Sequence, residues 1–429
     1  MDNRLRVAVV GGGVAGIVAA HRIQDLCSVT LFEKGQKIGG HTYTVKIDKG
    51  PDQGLGVDIG FIVCNDRTYP NFHSFVGELG VNIRSADMSF SFSCEKTGLA
   101  YCSRDLNTLF AQRKNLFSPR FLGMLYQTTR FWKVANQELD SGVFACEKLG
   151  DWLTHHGLTG PISDDYILPI SAAMCSSPDS DILTFPVETF LRFFKNHGLL
   201  SYFNQPQWQT VVGGSRSYVH AFLNSFKGEI RTQAEILAIR RDLDGVVIST
   251  NGSSEEKFDH VIVATHADQA LALLSDPTDL EREILLPWKY HKNRTVLHTD
   301  SSVLPADSKV WASWNYSRSI NNDRTSPVAI TYYMNLLQGF KSQENYCVTL
   351  NPTAKIDDSK ILADVDFAHP CFTLEAVRAI GKIDQIQGRC RTWYCGSYHG
   401  FGFHEDAVSA AVRASDGVIK RIKDDHSAV

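Results

Sequence analysis

Three glycines, Gly11, Gly13 and Gly16, stand between an apolar run from Leu5 to Val10 and a helix-spaced stretch from Ile17 to Leu26. Each spacing has a physical use. The first glycine allows a tight strand-to-helix turn, the second lets the backbone approach a diphosphate, and the third lets the helix pack close to the sheet. Val14 and Ala15 open that helix, where free N–H groups and a positive dipole end favour phosphate oxygens. Glu33 closes a second apolar run, Val29 to Phe32, and stands 20 residues after Gly13. A carboxylate there accepts hydrogen bonds from ribose hydroxyls. Glycines also serve ordinary turns, but strand, glycines, helix, strand and acid in register point to a bound dinucleotide. The elements that position them are those of a strand–helix–strand unit, and the fold class expected is α/β.

A second signal follows at once. Lys34-Gly35 leads to Ile38-Gly39-Gly40-His41-Thr42, and a glycine pair here brings another piece of backbone against the same diphosphate. With these residues the chain resembles the FAD-dependent amine oxidase and phytoene desaturase superfamily. In that family the glycine pair contacts FAD and is usually followed by Arg or Ser; here His41 stands in place of the arginine. The resemblance implies FAD as cofactor, with contacts at Lys34, Gly40, His41 and Thr42. It also implies a Rossmann-type FAD-binding domain interleaved with an α+β substrate domain. The expected pieces are 1–65, 206–284 and 391–429 for the FAD domain, and 66–205 and 285–390 for the substrate domain.

Further family positions map onto the middle of the chain. Val57-Asp58-Ile59-Gly60 resembles the segment whose backbone passes the flavin ring near the glycine, although a polar turn after a buried strand has the same spacing. Val211-Val212-Gly213-Gly214-Ser215 resembles a second glycine-pair segment, followed by an expected helix from Tyr218 to Phe226. Ile230 to Ile239 alternates like one strand, and Ile236 matches the position whose backbone meets the adenine. His260 to Thr265 resembles the strand that closes the FAD domain, with Ala264 near the cofactor; His266, where the family has a small residue or proline, reads as a loop histidine.

The stretch Tyr394-Cys395-Gly396-Ser397-Tyr398-His399-Gly400-Phe401-Gly402-Phe403-His404-Glu405-Asp406-Ala407 resembles the family's C-terminal flavin motif. The resemblance implies contacts at Gly396, Asp406 and Ala407. A helix from Ala407 to Ile422 would aim N–H groups at the flavin, where negative charge collects on reduction. Ser397 replaces the ribitol-binding acid, and Asp406 replaces a glycine. Tyr398 and His399 are the candidate catalytic side chains, since an imidazole can move a proton near neutrality. A packed aromatic corner is the competing reading. Cys395 is expected on the preceding strand, facing away from the ring.

Composition limits what else the protein can be. Its 429 residues are 43% hydrophobic and 21% charged, with a net charge of −4. That is a globular chain with two or three domains' worth of core and no electrostatic case for nucleic acid. Ten cysteines show no CxxC spacing, no metal site is expected, and a reducing, cytoplasmic setting fits. No apolar run approaches the ~20 residues that cross a bilayer.

Residues 66–205 are helical and aromatic in character. Phe117, Phe121, Tyr126, Phe131 and Trp132 alternate with Arg113, Lys114, Arg120, Arg130 and Lys133. An amphipathic helix with its aromatic face in the core explains this; a basic aromatic surface resting peripherally on lipid is the sharper reading. Pro169 to Cys175, almost uncharged, reads as a pocket lining or a packed loop. Strands are expected at Thr295 to His298, Val310 to Trp314, Val328 to Met334 and Tyr346 to Leu350.

Amine oxidases of this superfamily often carry a lysine just before the strand that matches Val296-Leu297-His298. Thr295 occupies that position and Lys292 is out of register, which argues against amine oxidation. More narrowly, Phe185-Pro186, Asn196-His197-Gly198-Leu199-Leu200, Gln207-Trp208 and Tyr394 to Tyr398 resemble flavoproteins associated with cyclopropane-fatty-acid-synthase-type enzymes. That resemblance implies a small hydrophobic substrate, acyl or polyene-like, desaturated by hydride transfer to flavin N5. The alternatives are a redox-neutral double-bond isomerase, an amine oxidase, or a flavin-binding partner protein without catalysis.

Overall fold

A computed structural model describes residues 4–427 apart from 176–177, 204, 253, 321–324 and 326–328. Strand Arg6–Val10 lies at the centre of a five-stranded parallel sheet. Ser28–Phe32 and then Glu229–Arg231 lie on one side of it, His260–Val263 and then Thr392–Tyr394 on the other. Widely separated stretches of chain therefore close one sheet. Val7 and Val9 pack on one face with Val29, Leu31 and Ile262. Ala8 and Val10 pack on the other with Phe32, Val261 and Val263. A strand buried on both faces needs apolar residues at every position, which is why these runs are unbroken. The helices Val14–Ile23 and His404–Ser427 belong to the first layer. An antiparallel sheet of Ile236–Asp242, Gly245–Thr250 and Glu256–Phe258 belongs to the second.

The second region is built on a seven-stranded sheet. Its order is Ile361–Cys371, Lys289–His298, Cys347–Leu350, Ile330–Tyr333, Trp314–Arg318, Phe90–Cys94 and Leu99–Cys102. Helices Pro119–Ser141, Leu168–Cys175 and Val187–Asn196 share its apolar core. The whole is the α/β architecture expected, a Rossmann-type sheet interleaved with an α+β region.

Several elements differ from expectation for identifiable reasons. The first helix begins at Val14, directly after Gly13, and ends at Ile23. The run from Ile230 to Ile239 is two strands in two sheets, broken where Gln233 takes φ +55°. Alternation alone cannot reveal such a break. Ser308–Val310 is a 3-10 turn, and the strand expected from Val310 begins at Trp314. Val328 lies outside the described residues; the strand there is Ile330–Tyr333. Ile361–Cys371 is a strand that Pro370 concealed. It lies at the sheet edge, where a missing N–H costs no ladder bond. Leu168–Cys175 is a helix, buried from Leu168 to Ala173, not a loop.

Helix Pro119–Ser141 divides the aromatic residues between core and surface. Ser118 caps it, accepting from the N–H of Phe121, and Gly142 at φ +69° ends it. Phe121, Met124, Thr128, Phe131 and Ala135 are buried, while Phe117, Leu122 and Tyr126 are exposed. Among the described residues no helix is long and apolar enough to cross a membrane.

Candidate functional site

The glycine cradle sits where the central strand meets the first helix. Gly11 takes φ +107°, and a Cβ there would lie 2.7 Å from the Ala264 carbonyl oxygen. A Cβ on Gly16 would lie 1.9 Å from the Gly11 oxygen. Gly13 is different: at φ −71° it could carry any side chain, and a Cβ would meet nothing within 4 Å. That open space lies at the head of helix Val14–Ile23, which has no side-chain cap and no acid in its first turn. The Gly39 N–H donates to the Gly12 oxygen at 2.7 Å. Gly40, at φ +55°, brings its Cβ position within 3.1 Å of the Gly13 Cα. The two glycine segments therefore meet at the open space.

Arg216 adds a cation that the sequence analysis missed. Its Nη1 donates to the Ile38 oxygen at 3.4 Å and lies 3.7 Å from the Cβ position of Gly39. No ion pair to Arg216 occurs among the described residues. Its signal in the sequence was its place directly after Gly213-Gly214-Ser215. Space that a Cβ would fill, an uncapped helix start and a guanidinium without an acid together suit a diphosphate.

The other end of the cradle suits a ribose and base. The Glu33 carboxylate accepts the Gly12 N–H at 2.8 Å and the Gly35 N–H at 2.7 Å. A carboxylate has about four acceptor sites, so capacity remains for hydroxyls. The Gln233 N–H donates to the Gly35 oxygen at 2.9 Å and the Ala234 N–H to the Glu33 oxygen at 3.0 Å. These bonds tie the chain just before buried Ile236 to the segment that carries the acid. Lys34 is exposed at the rim.

Beyond the cradle, the two sheets meet at a junction rich in imidazoles. A Cβ on Gly60 would lie 2.0 Å from the His41 oxygen, so this close approach needs glycine. The His41 Nε2 lies 3.1 Å from the Ala368 oxygen. Its ring centre is 5.1 Å from Phe367, 5.5 Å from His369 and 6.0 Å from His266. His266 stacks on Tyr290 at 4.3 Å. Asn293 Nδ2 donates to His369 Nδ1 at 2.8 Å. His404 stacks on Phe61 at 3.6 Å, and its Nε2 lies 2.9 Å from the Tyr218 hydroxyl, which in turn bonds Thr42. Burial pushes His41 and His404 down to about 3 and His369 to about 4, and lowers His266. Neighbouring imidazoles add to the shifts of His41, His369 and His404.

The carboxylates here serve structure. Buried Asp58 accepts the Ser215 N–H at 2.9 Å, the Ser215 hydroxyl at 2.8 Å, Gln338 Nε2 at 2.9 Å and the Thr44 hydroxyl. Burial nevertheless pushes it up to about 7. Glu405 sits at the start of helix Pro70–Glu78, accepting the N–H groups of Asn71 at 3.0 Å and Phe72 at 2.9 Å.

Asp406 accepts the N–H groups of Phe401 at 3.0 Å and Phe403 at 2.9 Å. As third residue of the helix it satisfies the N–H at the cap position, so the helix starts at His404 rather than Ala407. The Ala407 N–H is already spent on the Phe403 oxygen at 3.2 Å. The N–H groups available at this helix start are those of His404, Glu405 and Asp406.

Tyr398 and His399 lie apart from the histidine cluster, buried in the turn Ser397–His399. Tyr398 packs on Trp288 at 5.9 Å. Neither its hydroxyl nor His399 Nε2 has a hydrogen-bond partner among the described residues. Burial, with Arg413 nearby, pushes His399 down to about 3. A Cβ on Gly396 would meet the Tyr398 ring at 2.6 Å. Cys395 is buried in the apolar layer shared with the C-terminal helix. Phe403 lies 5.3 Å from Phe193 and 4.7 Å from His197, tying this loop to the apolar core of the second region.

Known proteins share this organisation. An L-amino-acid oxidase of Siganus canaliculatus is 24% identical over 325 residues, covering 71% of this chain and 57% of that one. The flavin-dependent L-tryptophan oxidase RebO of Lentzea aerocolonigenes is 23% identical over 351 residues, covering 72% and 64%. The chain thus spans less than two thirds of the length of either relative. The structure of cyclohexylamine oxidase from Brevibacterium oxydans is similar with a TM-score of 0.73, at 12% identity, covering 98% of this chain and 100% of that one. That of a CLA-producing fatty acid isomerase from P. acnes is similar with a TM-score of 0.67, at 15% identity, covering 98% and 99%. These two likenesses are of fold. A family profile described as flavin containing amine oxidoreductase matches residues 14–334. The chain belongs to that family, and FAD is the cofactor its cradle fits.

Proposed function

We propose that this protein is an FAD-dependent oxidoreductase that removes a hydride from a small apolar, acyl or polyene-like substrate. One observation carries the reading. The junction is faced by Phe61, Phe367 and imidazoles held neutral by burial, while its carboxylates Asp58, Glu405 and Asp406 are each taken up by several hydrogen bonds. An ammonium substrate finds no counter-ion in such a site, whereas a hydrocarbon loses nothing by entering it. Thr295 is buried and Lys292 exposed on strand Lys289–His298, so no lysine takes the interior position that amine oxidases of this superfamily often fill.

When bound, FAD supplies the hydride acceptor. Gly13, Gly40, the start of helix Val14–Ile23 and Arg216 would hold its diphosphate, and Glu33 would hold its ribose. The phenylalanines exclude water from the reacting carbon. His369, receiving its hydrogen bond at Nδ1, keeps its own proton on Nε2. His399 and Tyr398, whose Nε2 and hydroxyl have no hydrogen-bond partner among the described residues, are the remaining proton carriers. Desaturation is the outcome when the hydride is not returned and the neighbouring carbon gives a proton to one of these side chains. A redox-neutral double-bond isomerisation, in which it is returned, is the second reading, supported by the likeness to the fatty acid isomerase.

Anaerobic mixing of the FAD-loaded protein with fatty acids, polyenes, amines and amino acids tests this. Bleaching of the flavin by an acyl or polyene compound is expected. Double-bond migration without lasting bleaching selects the isomerase. Bleaching by amines or amino acids alone overturns both.

A further inference from the structure

The stretch from Arg104 to Lys133 carries six cations and one acid in a chain whose net charge is −4. Its acid, Asp105, is occupied in capping the short helix Leu106–Leu109. Two of the cations are paired, Arg104 with Asp87 and Arg120 with Asp165. Arg113, Lys114, Arg130 and Lys133 have no acidic partner among the described residues. Arg113 instead bonds Asn107 and the Phe110 oxygen, which ties it back to the helix Leu106–Leu109 and the residue after it.

Large apolar side chains stand out among these cations. Phe117 is 86% exposed, Tyr126 71% and Leu106 71%, with Leu116 and Leu122 also exposed. Leu122, Tyr126, Arg130 and Lys133 follow a helical spacing opposite the buried stripe of Phe121, Met124, Thr128, Phe131 and Ala135. One helix thus has an apolar inner face and an outer face of aromatic, aliphatic and basic residues. Asn136 on the same helix donates to the Leu200 oxygen at 3.1 Å, which sets the exposed ring pair Tyr202–Phe203 beside its outer half. Lys114 and Arg120 also border a hollow of about 260 Å³, lined inside by Leu99, Phe121 and Met124.

We propose that this face docks on an anionic lipid membrane. Scattered exposed rings flanked by unpaired cations match an interface where rings enter the acyl boundary and lysine and arginine stay at the headgroups. An acidic protein partner would use the charges but leave Phe117 and Tyr126 without a complementary pocket. The surface shares no residue with the glycine cradle or the histidine junction, so the inference stands apart from the redox reading.

The test is co-sedimentation of the full FAD-loaded chain with vesicles of phosphatidylcholine alone, and of equal parts phosphatidylcholine and phosphatidylserine. Binding to the mixed vesicles should be at least about tenfold tighter and should weaken as salt rises. Lys114→Glu with Lys133→Glu should abolish it, and Phe117→Ser with Tyr126→Ser should weaken it at least about fivefold. All four sites are exposed, and retained flavin absorbance reports that each variant is folded. Failure to bind the mixed vesicles at low salt overturns the proposal. So does full binding by the serine variant, which would show charge attraction without insertion, as for an acidic protein surface.

Discussion

The glycine cradle at residues 11–16 and the imidazole junction around His41 solve the problem of holding a ligand in opposite ways. In the cradle, backbone does the work, and what matters is where side chains are missing. A Cβ on Gly16 would sit 1.9 Å from a carbonyl oxygen, whereas one on Gly13 would meet only open space. The junction is instead made of side chains drawn from five distant segments: His41 packs on the rings of His266 and His369, and Tyr218, bonded to Thr42, packs on the ring of His404. Glycines near each other in sequence must be near each other in space. His41 and the Ala368 carbonyl that it bonds, 327 residues away, meet only if both sheets form and dock.

The sharpest way to break the comparison lies inside the cradle. Gly16→Val should prevent the strand–helix unit from closing and cost more than about 3 kcal/mol, read as loss of folded, soluble protein. Gly13→Val should fold with an unchanged urea midpoint in the FAD-free form, yet purify colourless. A yellow Gly13→Val protein would mean that the open space is not where the cofactor goes.

Next comes the frame of the junction. Glu405→Ala leaves the N–H groups of Asn71 and Phe72 without their acceptor and should destabilise the protein by roughly 2–3 kcal/mol. Urea denaturation measures this, and a loss below about 0.5 kcal/mol would remove the carboxylate from the account.

Buried histidines, three of them in the junction (His41, His369 and His404), give the protein a pH signature to which the cradle contributes no imidazole. His41, His197, His298, His369, His399 and His404 are pushed down to between about 3 and about 4, chiefly by burial. In the unfolded chain they bind protons near pH 6.5. Their contribution is therefore intact above that pH and lost as pH falls towards 3, each with a slope of up to about 1.4 kcal/mol per pH unit. Asp58 and Asp406, raised to about 7 and about 6, act in the opposite sense between about pH 4 and 7. Six groups outweigh two, so urea midpoints should be lower at about pH 5 than at about pH 7. A flat profile would mean that the imidazoles are not buried.

A smaller effect separates the two arginine positions that the family and this chain use. Arg216→Ala should weaken FAD retention about tenfold, some 1.4 kcal/mol, without moving the unfolding midpoint of the FAD-free chain. Flavin fluorescence released on desalting reports it. Unchanged retention would leave the diphosphate to backbone groups alone. The smallest contrast is between histidines: His404→Phe is expected to shift the flavin absorbance maximum, and His399→Phe to leave it in place. The reverse order would put the flavin ring, and not only a proton carrier, beside the Ser397–His399 turn.

The residues of the cradle, its strand–helix–strand setting and the family resemblance were legible in the sequence because each depends on neighbours along the chain. Gly11, Gly13, Gly16 and Glu33 needed only the periods of one strand and one helix. The helix start at His404 was not legible, because a cap normally shows Ser, Thr, Asp or Asn, and here the acid acts backwards from the third position onto Phe403. Strand Ile361–Cys371, which carries His369, was concealed by Pro370 and by solvent-facing Asp364 and Asp366, residues that an edge strand tolerates.

The sequence by itself determined a dinucleotide cradle, because backbone conformation at glycine is a local property. Tertiary structure alone decided which side chains surround the cofactor space. Arg216 reaches Gly39 only because Asp58 holds Ser215 at the preceding position. His369 shares a face with its partner only through the register that sets Asn293 opposite Phe367. A shift of one residue in that pairing would turn the imidazole to the other side of the sheet, since side chains alternate with period two.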